Sequence, residues 1–364
     1  MQVRIAQVVS SIAHSISIYE EALSTMTATL IELIKNTKQW DASAEKKLRA
    51  HVVKNPSSAQ ESVEDRIFGT PITPLITAIE KQAPLSVIAF LIDEWPASLQ
   101  KGNPLSKAVE NDSLDVIKYI VEKDASTLNE QSPGSLNYGW TPLMTAVSSD
   151  ASFEVVSYLV EKDDGEIVHE SNTGLTPIHN ALYKEWGVDS EILTCLVKSF
   201  PGCLDCQNDE GQRPINLVTA FHHGSDVASI LLRGQIIFDG GICLEGDEQP
   251  PWGDYSGEDE TAREFFPLFC SLATEMNDQV KRVSLSGVVF KQDQWKLLVK
   301  TLKTLEHVKS LTCSDIKIGD GGKSTSDELG NELLDALQEK NPEITGKLGE
   351  KEIPDKAGGK RKRE

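Results

Sequence analysis

The stretch Gly139–Asp163, GWTPLMTAVSSDASFEVVSYLVEKD, decides the fold of this chain. Thr141 is suited to cap a helix and Pro142 to occupy its first turn, where a missing N–H costs nothing. Apolar residues recur at helical spacing through Val147, and after a polar break a second apolar stripe follows. Two short helices cannot bury both apolar faces alone, so the stretch predicts neighbouring copies of itself.

Copies of this stretch are present on both sides of it. Each begins with a proline and continues into a second helix with paired apolar residues one turn apart. The copies start at Pro74, Pro104, Pro142, Pro177 and Pro214. A partial copy, Leu48–Gln60, precedes them. Recurrence of the same helix pair along the chain predicts a solenoid of helix pairs.

These copies resemble the ankyrin repeat, which has a Gly-x-Thr-Pro-Leu-His start, two antiparallel helices and a hairpin loop. Gly139–Leu143 and Gly174–His179 match that start best, and Gly211–Ile215 matches it less fully. The resemblance covers about residues 41–234. It implies a mostly α solenoid that binds other proteins through its concave face and hairpin loops, with His179 as a hydrogen-bonding helix residue.

An N-terminal helix is predicted over residues 1–40. From Ile5 to Leu33 its apolar residues are separated by alternating steps of four and three, which is a heptad spacing. The positions beside this stripe are small or apolar apart from Glu20, whereas a coiled coil usually carries charges there. We therefore predict a helix that caps the array, and self-association through residues 5–34 is the alternative.

The part of the chain after the array predicts a linker, a second repeat and a tail. Residues 235–262 are rich in Gly, Pro and acidic side chains and predict a loop or linker. In residues 263–346, apolar residues alternate over Val280–Phe290 and again over Val308–Ile318, with a helical pattern between them and another over Glu328–Leu337. This pattern resembles the strand-plus-helix form of the leucine-rich repeat, which implies a small α/β part.

Residues 347–364 predict a disordered basic tail. It contains the run Lys360, Arg361, Lys362 and Arg363, which suits an acidic nuclear-import receptor groove, while a solvated tail is the alternative. Six irregularly spaced cysteines favour a reducing, intracellular setting. No apolar run is long enough to predict a membrane span. We predict a cytoplasmic or nuclear protein.

The net charge of −20 lies almost entirely in residues 70–260. An acidic surface repels nucleic acid and favours basic partners, so we predict a protein partner of basic or mixed charge and no nucleic acid. The alternative is that the charge only keeps a monomeric array soluble.

No motif predicts catalysis, a cofactor or a metal. Residues 319–324 lie between a predicted strand and helix but lack the first glycine of a phosphate-binding loop, so a nucleotide-dependent switch is a minor alternative. Cys203 and Cys206 lack a second pair for zinc. The acidic residues of the linker do not have the spacing of a calcium loop. We predict a non-enzymatic adaptor.

The ankyrin resemblance implies which residues face a partner: those before each Thr-Pro and those at the end of each first helix. In this sequence they are Tyr138, Trp140, Ser148, Ser149, Thr173, Leu175, Tyr183, Lys184, Glu210, Gln212 and Phe221. The loop Ser126–Trp140 is the longest of the array and ends in two aromatic residues, which are typical anchors of protein interfaces. An alternative is that Trp140 and Phe221 pack against neighbouring loops.

Overall fold

The computed structural model describes residues 29–64, 71–132, 139–163, 171–184, 187–220, 224–245, 260–286, 289–318, 326–348 and 351–352. The chain divides into two compact units, Met1–Lys162 (unit 1) and Asp163–Glu364 (unit 2). The structure is mostly helical, with a small sheet in unit 2, as the sequence predicts.

Unit 1 is built from short helices in pairs. In chain order they are α1 (Leu30–Lys35), α2 (Ala42–Lys54), α3 (Pro74–Glu80), α4 (Leu85–Glu94), α5 (Pro104–Glu110), α6 (Leu114–Lys123), α7 (Pro142–Ser148) and α8 (Phe153–Lys162). Short 3-10 turns follow α2, α4 and α6 at Pro56–Gln60, Pro96–Gln100 and Ala125–Asn129. The strands β1 (Val63–Glu64) and β2 (Pro71–Ile72) pair antiparallel.

Threonine caps and helix-starting prolines set where the first helix of a pair begins. The Oγ1 atom of Thr73 accepts the Ile76 N–H at 3.2 Å, and Thr141 does the same for Met144 at 3.4 Å. Asn103 replaces threonine before α5, adopts a left-handed backbone with φ of 54°, and makes no side-chain cap bond. The capping role predicted for Thr141 is therefore confirmed, and Thr73 caps α3 in the same way.

The paired apolar residues of the second helices form the core of unit 1. All are buried: Val87, Ile88, Leu91, Ile92, Val116, Ile117, Ile120, Val121, Val155, Val156 and Leu159. Three alanines at one position of the first helices, Ala78, Ala108 and Ala146, are fully buried. Their small side chains let α3 pack on α5 and α5 on α7.

The predicted N-terminal helix is not continuous through Leu33. The backbone of Thr29 is extended, and its Oγ1 accepts the Glu32 N–H while the Glu32 carboxylate accepts the Thr29 N–H, both at 3.2 Å. This reciprocal capping starts a new helix, α1, at Leu30. Leu30 and Ile34 are fully buried and α1 packs on α3. Residues 1–28 lie outside the described residues, so the rest of that prediction is untested.

Unit 2 contains further helix pairs and a parallel sheet. Its helices are α9 (Pro177–Leu182), α10 (Ser190–Ser199), α11 (Pro214–Ala220), α12 (Ser225–Asp239), α13 (Glu260–Glu275), α14 (Gln292–Leu302) and α15 (Ser326–Gln338). A 3-10 turn, Pro201–Leu204, follows α10. The strands are β3 (Gly241–Glu245), β4 (Arg282–Ser286), β5 (Val289–Phe290), β6 (Ser310–Ser314), β7 (Lys317–Ile318), β8 (Thr345–Leu348) and β9 (Lys351–Glu352).

The main sheet has the strand order β3-β4-β6-β8-β9. Its first four strands are parallel, and β9 is antiparallel to β8. Alternate residues of β4 and β6 are buried, namely Val283, Leu285, Leu311 and Cys313. The helices α13, α14 and α15 lie between successive strands along the chain. The strands and helices predicted from the alternating pattern are therefore present.

The segment predicted as a linker begins later than residue 235. Gln235 and Ile236 are buried because α12 continues to Asp239, and Gly240 ends the helix with a φ of 67°. The next residues form β3 at the edge of the sheet, in parallel register with β4. The linker prediction is wrong for residues 235–245, which form the end of a helix and a strand, and for residues 260–262, which begin α13. Residues 246–259 lie outside the described residues.

Candidate protein-binding surfaces

Trp140 lies at the foot of the longest predicted loop, in unit 1. It follows Gly139, whose φ of 75° favours glycine, and its carbonyl oxygen accepts the Ser132 N–H at 2.9 Å. The indole is half-buried. Within the part of the chain that the structure describes, its Nε1 atom is buried and has no hydrogen-bond partner. Trp140 is thus partly packed against the chain and partly exposed, and its contact with a partner stays a prediction.

Ser148 and Ser149 lie at the end of α7. Ser148 is half-buried and Ser149 is exposed. The Ser149 hydroxyl donates to the Thr145 carbonyl oxygen at 2.8 Å, which satisfies a carbonyl near the end of the helix. Larger side chains at this site would project into solvent, since the buried face of the helix ends at Val147.

The residues at the ends of α3 and α5, which are equivalent to Ser148 and Ser149, were not among the predicted partner-facing residues. Glu80, Lys81 and Glu110 are exposed there. Lys107 donates to Glu110 at 2.8 Å, and the indole N–H of Trp40 donates to the Lys81 carbonyl oxygen at 3.1 Å. The sequence does identify these residues by position. They follow Pro74 and Pro104 by the same number of residues as Ser148 and Ser149 follow Pro142.

In unit 2 the structure brings Tyr183, Glu210 and Gln212 together around Asn208. The Asn208 amide nitrogen donates to the Tyr183 hydroxyl at 3.1 Å. Its Oδ1 atom accepts the Glu210 N–H at 3.0 Å and the Gln212 N–H at 2.8 Å. Asn208 is buried and was not selected from the sequence, although it stands three residues before Gly211 in the loop.

The Asn208 loop is joined to the loop that precedes α9. The Asp209 N–H donates to the Thr173 carbonyl oxygen at 3.1 Å. Thr173 and Leu175 are half-buried, and Lys184 is half-buried at the end of α9. Burial, together with the negative charge of Glu210, raises the pKa of the Tyr183 phenol. Tyr183 is therefore a neutral hydrogen-bonding group at the edge of this surface.

His179 has a structural role. Its Nδ1 atom accepts the Thr176 N–H at 3.2 Å, so Nε2 carries the proton and donates to the Gln212 carbonyl oxygen at 3.0 Å. The side chain is fully buried. Burial lowers its pKa to about 4, against the opposing effect of the Gln212 carbonyl. This geometry agrees with the hydrogen-bonding role that the ankyrin resemblance implies.

Several residues for which the sequence suggests a function lie outside the described residues. Among the predicted partner-facing residues these are Tyr138 and Phe221. The segment 319–324 and the basic run Lys360–Arg363 also lie outside them. The structure therefore places neither the proposed nucleotide loop nor the import signal.

The reactive side chains that are described are mostly packed. Cys203 is buried, and the half-buried Cys206 thiol donates to the Gly202 carbonyl oxygen at 3.7 Å. Burial raises the pKa of Cys270 to about 11 and that of Cys313 to about 12. Among the described residues, no group of three or more His, Cys, Asp or Glu side chains is arranged to hold a metal ion. A membrane-crossing helix was likewise not found in the described part of the chain.

Comparison with protein-family models identifies part of the repeat array. Residues 75–169 match the model described as ankyrin repeats, in three copies. This match confirms the ankyrin prediction for the copies that begin at Pro74, Pro104 and Pro142. It does not extend to residues 263–346, where the leucine-rich-repeat resemblance stays a prediction. No curated protein matches the sequence.

Two solved structures are remotely similar. One is the Bd0816 predatory endopeptidase of Bdellovibrio bacteriovorus in complex with immunity protein Bd3460, with 20% identity and a TM-score of 0.44 over 57% of this chain and 98% of that chain. The other is the ankyrin repeat domain of Bcl-3, an IkappaB-family protein, with 17% identity and a TM-score of 0.40 over 57% of this chain and 86% of that chain.

Proposed function

We propose that the chain is a non-enzymatic adaptor that binds a segment of another protein through its ankyrin repeats. The contacts would come from residues at the ends of the first helices and at the feet of the loops. The observation that supports this proposal is the position of Trp140: its half-buried aromatic ring lies two residues before α7, whose residues Pro142–Val147 are buried. Solenoid repeats commonly use such surfaces for binding.

The charge at these positions supports a basic or mixed-charge partner. Exposed carboxylates occur at the first-helix ends and in the turns that follow them in unit 1, at Glu80, Glu110, Asp112 and Asp150. Lys107 is engaged with Glu110. Acidic groups at a rim mainly speed encounter with a basic segment and reject acidic ones. We therefore expect association to slow as the salt concentration rises.

Unit 2 offers a second, separate set of contacts. Asn208 binds the Tyr183 hydroxyl and the backbone N–H groups of Glu210 and Gln212, so the Tyr183 ring and the loop backbone are positioned before any partner arrives. A preorganised set of side chains loses less conformational entropy on binding than a flexible one. We propose that Tyr183 and Glu210 contact a partner, while Gln212 mainly holds the loop.

Two alternative functions have less support. Self-association through residues 5–34 would need the apolar residues of α1, but Leu30 and Ile34 are buried against the same chain. We therefore propose that the chain is a monomer, and its mass measured by light scattering tests this. A nucleotide-dependent switch at residues 319–324 has no described residue in its favour.

Proximity labelling in cells tests the proposal with variants of the full chain. The test variant combines Trp140→Ala with Ser149→Arg, and the control is Ala97→Arg. Ala97 is exposed in the 3-10 turn after α4, so it receives the same charge away from the first-helix ends. Thermal unfolding first checks that both variants fold.

We expect the wild type and the control to label the same proteins, and the test variant to lose a specific subset of them. If the test variant labels the same proteins to the same extent as wild type, the surface around Trp140 does not bind the partners of this chain. Loss of the same subset with Ala97→Arg would equally contradict the proposed location.

A further inference from the structure

A buried carboxyl oxygen that accepts no hydrogen bond from the described residues lies at the foot of the longest predicted loop of unit 1. Glu130 directly follows the 3-10 turn Ala125–Asn129 and is half-buried. Its Oε2 atom is buried and, among the described residues, accepts no hydrogen bond. Two residues later, the Ser132 N–H donates to the Trp140 carbonyl oxygen at 2.9 Å and joins the two ends of segment 133–138. We call this hydrogen bond the Ser132–Trp140 bridge.

The neighbouring carboxylate of Asp124 is in a different state. Its Oδ1 atom accepts from the Ser126 hydroxyl at 2.7 Å and the Ser126 N–H at 3.0 Å, and its Oδ2 atom accepts from Gln100 at 2.8 Å. These hydrogen bonds, led by that of the Ser126 hydroxyl, lower the pKa of Asp124. Asp124 is therefore ionised, and its negative charge opposes ionisation of Glu130.

No positively charged side chain among the described residues lowers the pKa of Glu130. Burial raises its pKa to about 7, and the charge of Asp124 adds to that shift. The 3-10 turn packs against α6 and α7. α7 has no ionisable side chain, and at the end of α6 the Lys123 ammonium is engaged by Asp93 at 2.9 Å. An ionised Glu130 would thus place negative charge on a buried oxygen atom that has neither a donor nor a counter-ion among the described residues, which is costly.

We propose that Glu130 is a proton-dependent latch for the Ser132–Trp140 bridge. With its proton, the neutral carboxyl group stays buried and the bridge stays closed. When the proton leaves, the carboxylate moves into water, and the backbone between Glu130 and Ser132 shifts enough to open the bridge. The latch goes beyond the proposed function, because it operates whether or not a protein binds near Trp140.

Hydrogen exchange of the full chain, measured by mass spectrometry, tests the latch. The measured quantity is the protection factor of peptides that cover Ser132. It is the intrinsic exchange rate divided by the observed exchange rate at each pH. The comparison runs from about pH 5.5 to about pH 8.5 for the wild type, Glu130→Gln and Glu154→Gln. Glu154 is exposed on α8 and controls for loss of one carboxylate.

In the wild type and in Glu154→Gln, we expect the protection factor to fall at least about fivefold across this range, since an open state that binds one proton less gains population as the pH rises. Glu130→Gln should show a protection factor that does not change with pH, because its side chain is neutral throughout. A pH-independent protection factor in the wild type would overturn the latch without any variant. The same fivefold fall in Glu130→Gln would overturn it as well and would assign the effect to another group.

Discussion

Besides Asn103, three described residues in unit 1 that are not glycine adopt a backbone conformation that usually belongs to glycine. They are Gln82, Asp112 and Asp150, with φ of 50°, 51° and 56°, and each lies in the turn between the first and second helix of a pair. A left-handed conformation costs a residue with a Cβ atom about 1 kcal/mol relative to glycine. What each side chain contributes in return can therefore be tested by replacing it with glycine.

Gln82→Gly should stabilise unit 1 by less than about 1 kcal/mol. The side chain of Gln82 is exposed, so its removal deletes no core contact and relieves the left-handed strain. The gain is reduced by the greater freedom of glycine in the unfolded chain. The measurement is the free energy of unfolding from urea titration.

Asp112→Gly is the matched control and should not stabilise. The Asp112 carboxylate accepts both the N–H and the hydroxyl of Ser152 at 2.9 Å, which joins one helix pair to the next. Loss of two hydrogen bonds to a charged acceptor costs about 2–3 kcal/mol, which exceeds the relief of strain. Equal stabilisation by both substitutions would show that the Asp112 bonds contribute nothing.

His179 should make unit 2 sensitive to acid. Its folded pKa of about 4 lies below the usual value of 6.5, so the unfolded chain binds a proton first as the pH falls. The stability from neutral His179 is complete above pH 6.5 and is lost as the pH falls towards 4, up to about 3 kcal/mol. Urea unfolding of the wild type across that range should show this loss, and His179→Gln should lack it.

Glu130 should have the opposite effect on unit 1. Its pKa is raised from 4.5 to about 7, so the stability from its protonated form is complete below pH 4.5 and is lost as the pH rises through 7. Because the group is only half-buried, we expect a loss of about 1–2 kcal/mol. Glu130→Gln should therefore unfold at a higher urea concentration than the wild type at pH 8. An equal midpoint there would contradict the assignment.

Among the elements, α12 packs on its neighbours through a glycine in its middle. A Cβ atom added at Gly234 would overlap the Val197 side chain on α10 and lie 3.2 Å from Leu204. Glycine inside a helix normally costs about 1 kcal/mol relative to alanine, so its presence reflects the close approach of the two helices. From the sequence alone, Gly234 was predicted to be the last residue of the repeat array.

Gly234→Ala should destabilise unit 2 by about 1–3 kcal/mol, because the gain in helix propensity is smaller than the cost of overpacking. Gly202→Ala is the control, since a Cβ atom there meets nothing within 4 Å. Thermal unfolding of both variants provides the comparison. A higher melting temperature for Gly234→Ala would mean that α10 and α12 can separate at little cost.

The second helices of unit 1 share an arrangement that the sequence did not reveal. The Arg49 guanidinium lies 4.5 Å from the ring centre of Phe90, and the Lys118 ammonium lies 5.8 Å from that of Tyr158. In both cases the cationic side chain of one second helix lies over an aromatic ring on the second helix of the next pair. Such contacts join side chains 40 or 41 positions apart, so a search for local periodicity does not find them.

At the scale of the molecule, periodicity predicted the elements whose cores are local. The helix pairs followed from apolar spacing and prolines, and the strands β4 and β6 from alternation. The sequence did not predict the start of α1 at Leu30, because the apolar spacing continues across the capping residue Thr29. Asn208 was missed because its role depends on Tyr183, a residue from another helix pair. The spacing of apolar residues along the sequence carries no information on which side chains form hydrogen bonds with each other.

The most direct test of the account is the dissociation constant of a partner recovered by proximity labelling. Calorimetry would compare the wild type, Trp140→Ala and the control Ala97→Arg with the same purified partner. We predict at least tenfold weaker binding for Trp140→Ala, equivalent to about 1.4 kcal/mol, and an unchanged constant for the control. An affinity of Trp140→Ala equal to that of the wild type would contradict the claim that this surface of the ankyrin repeats binds the partner.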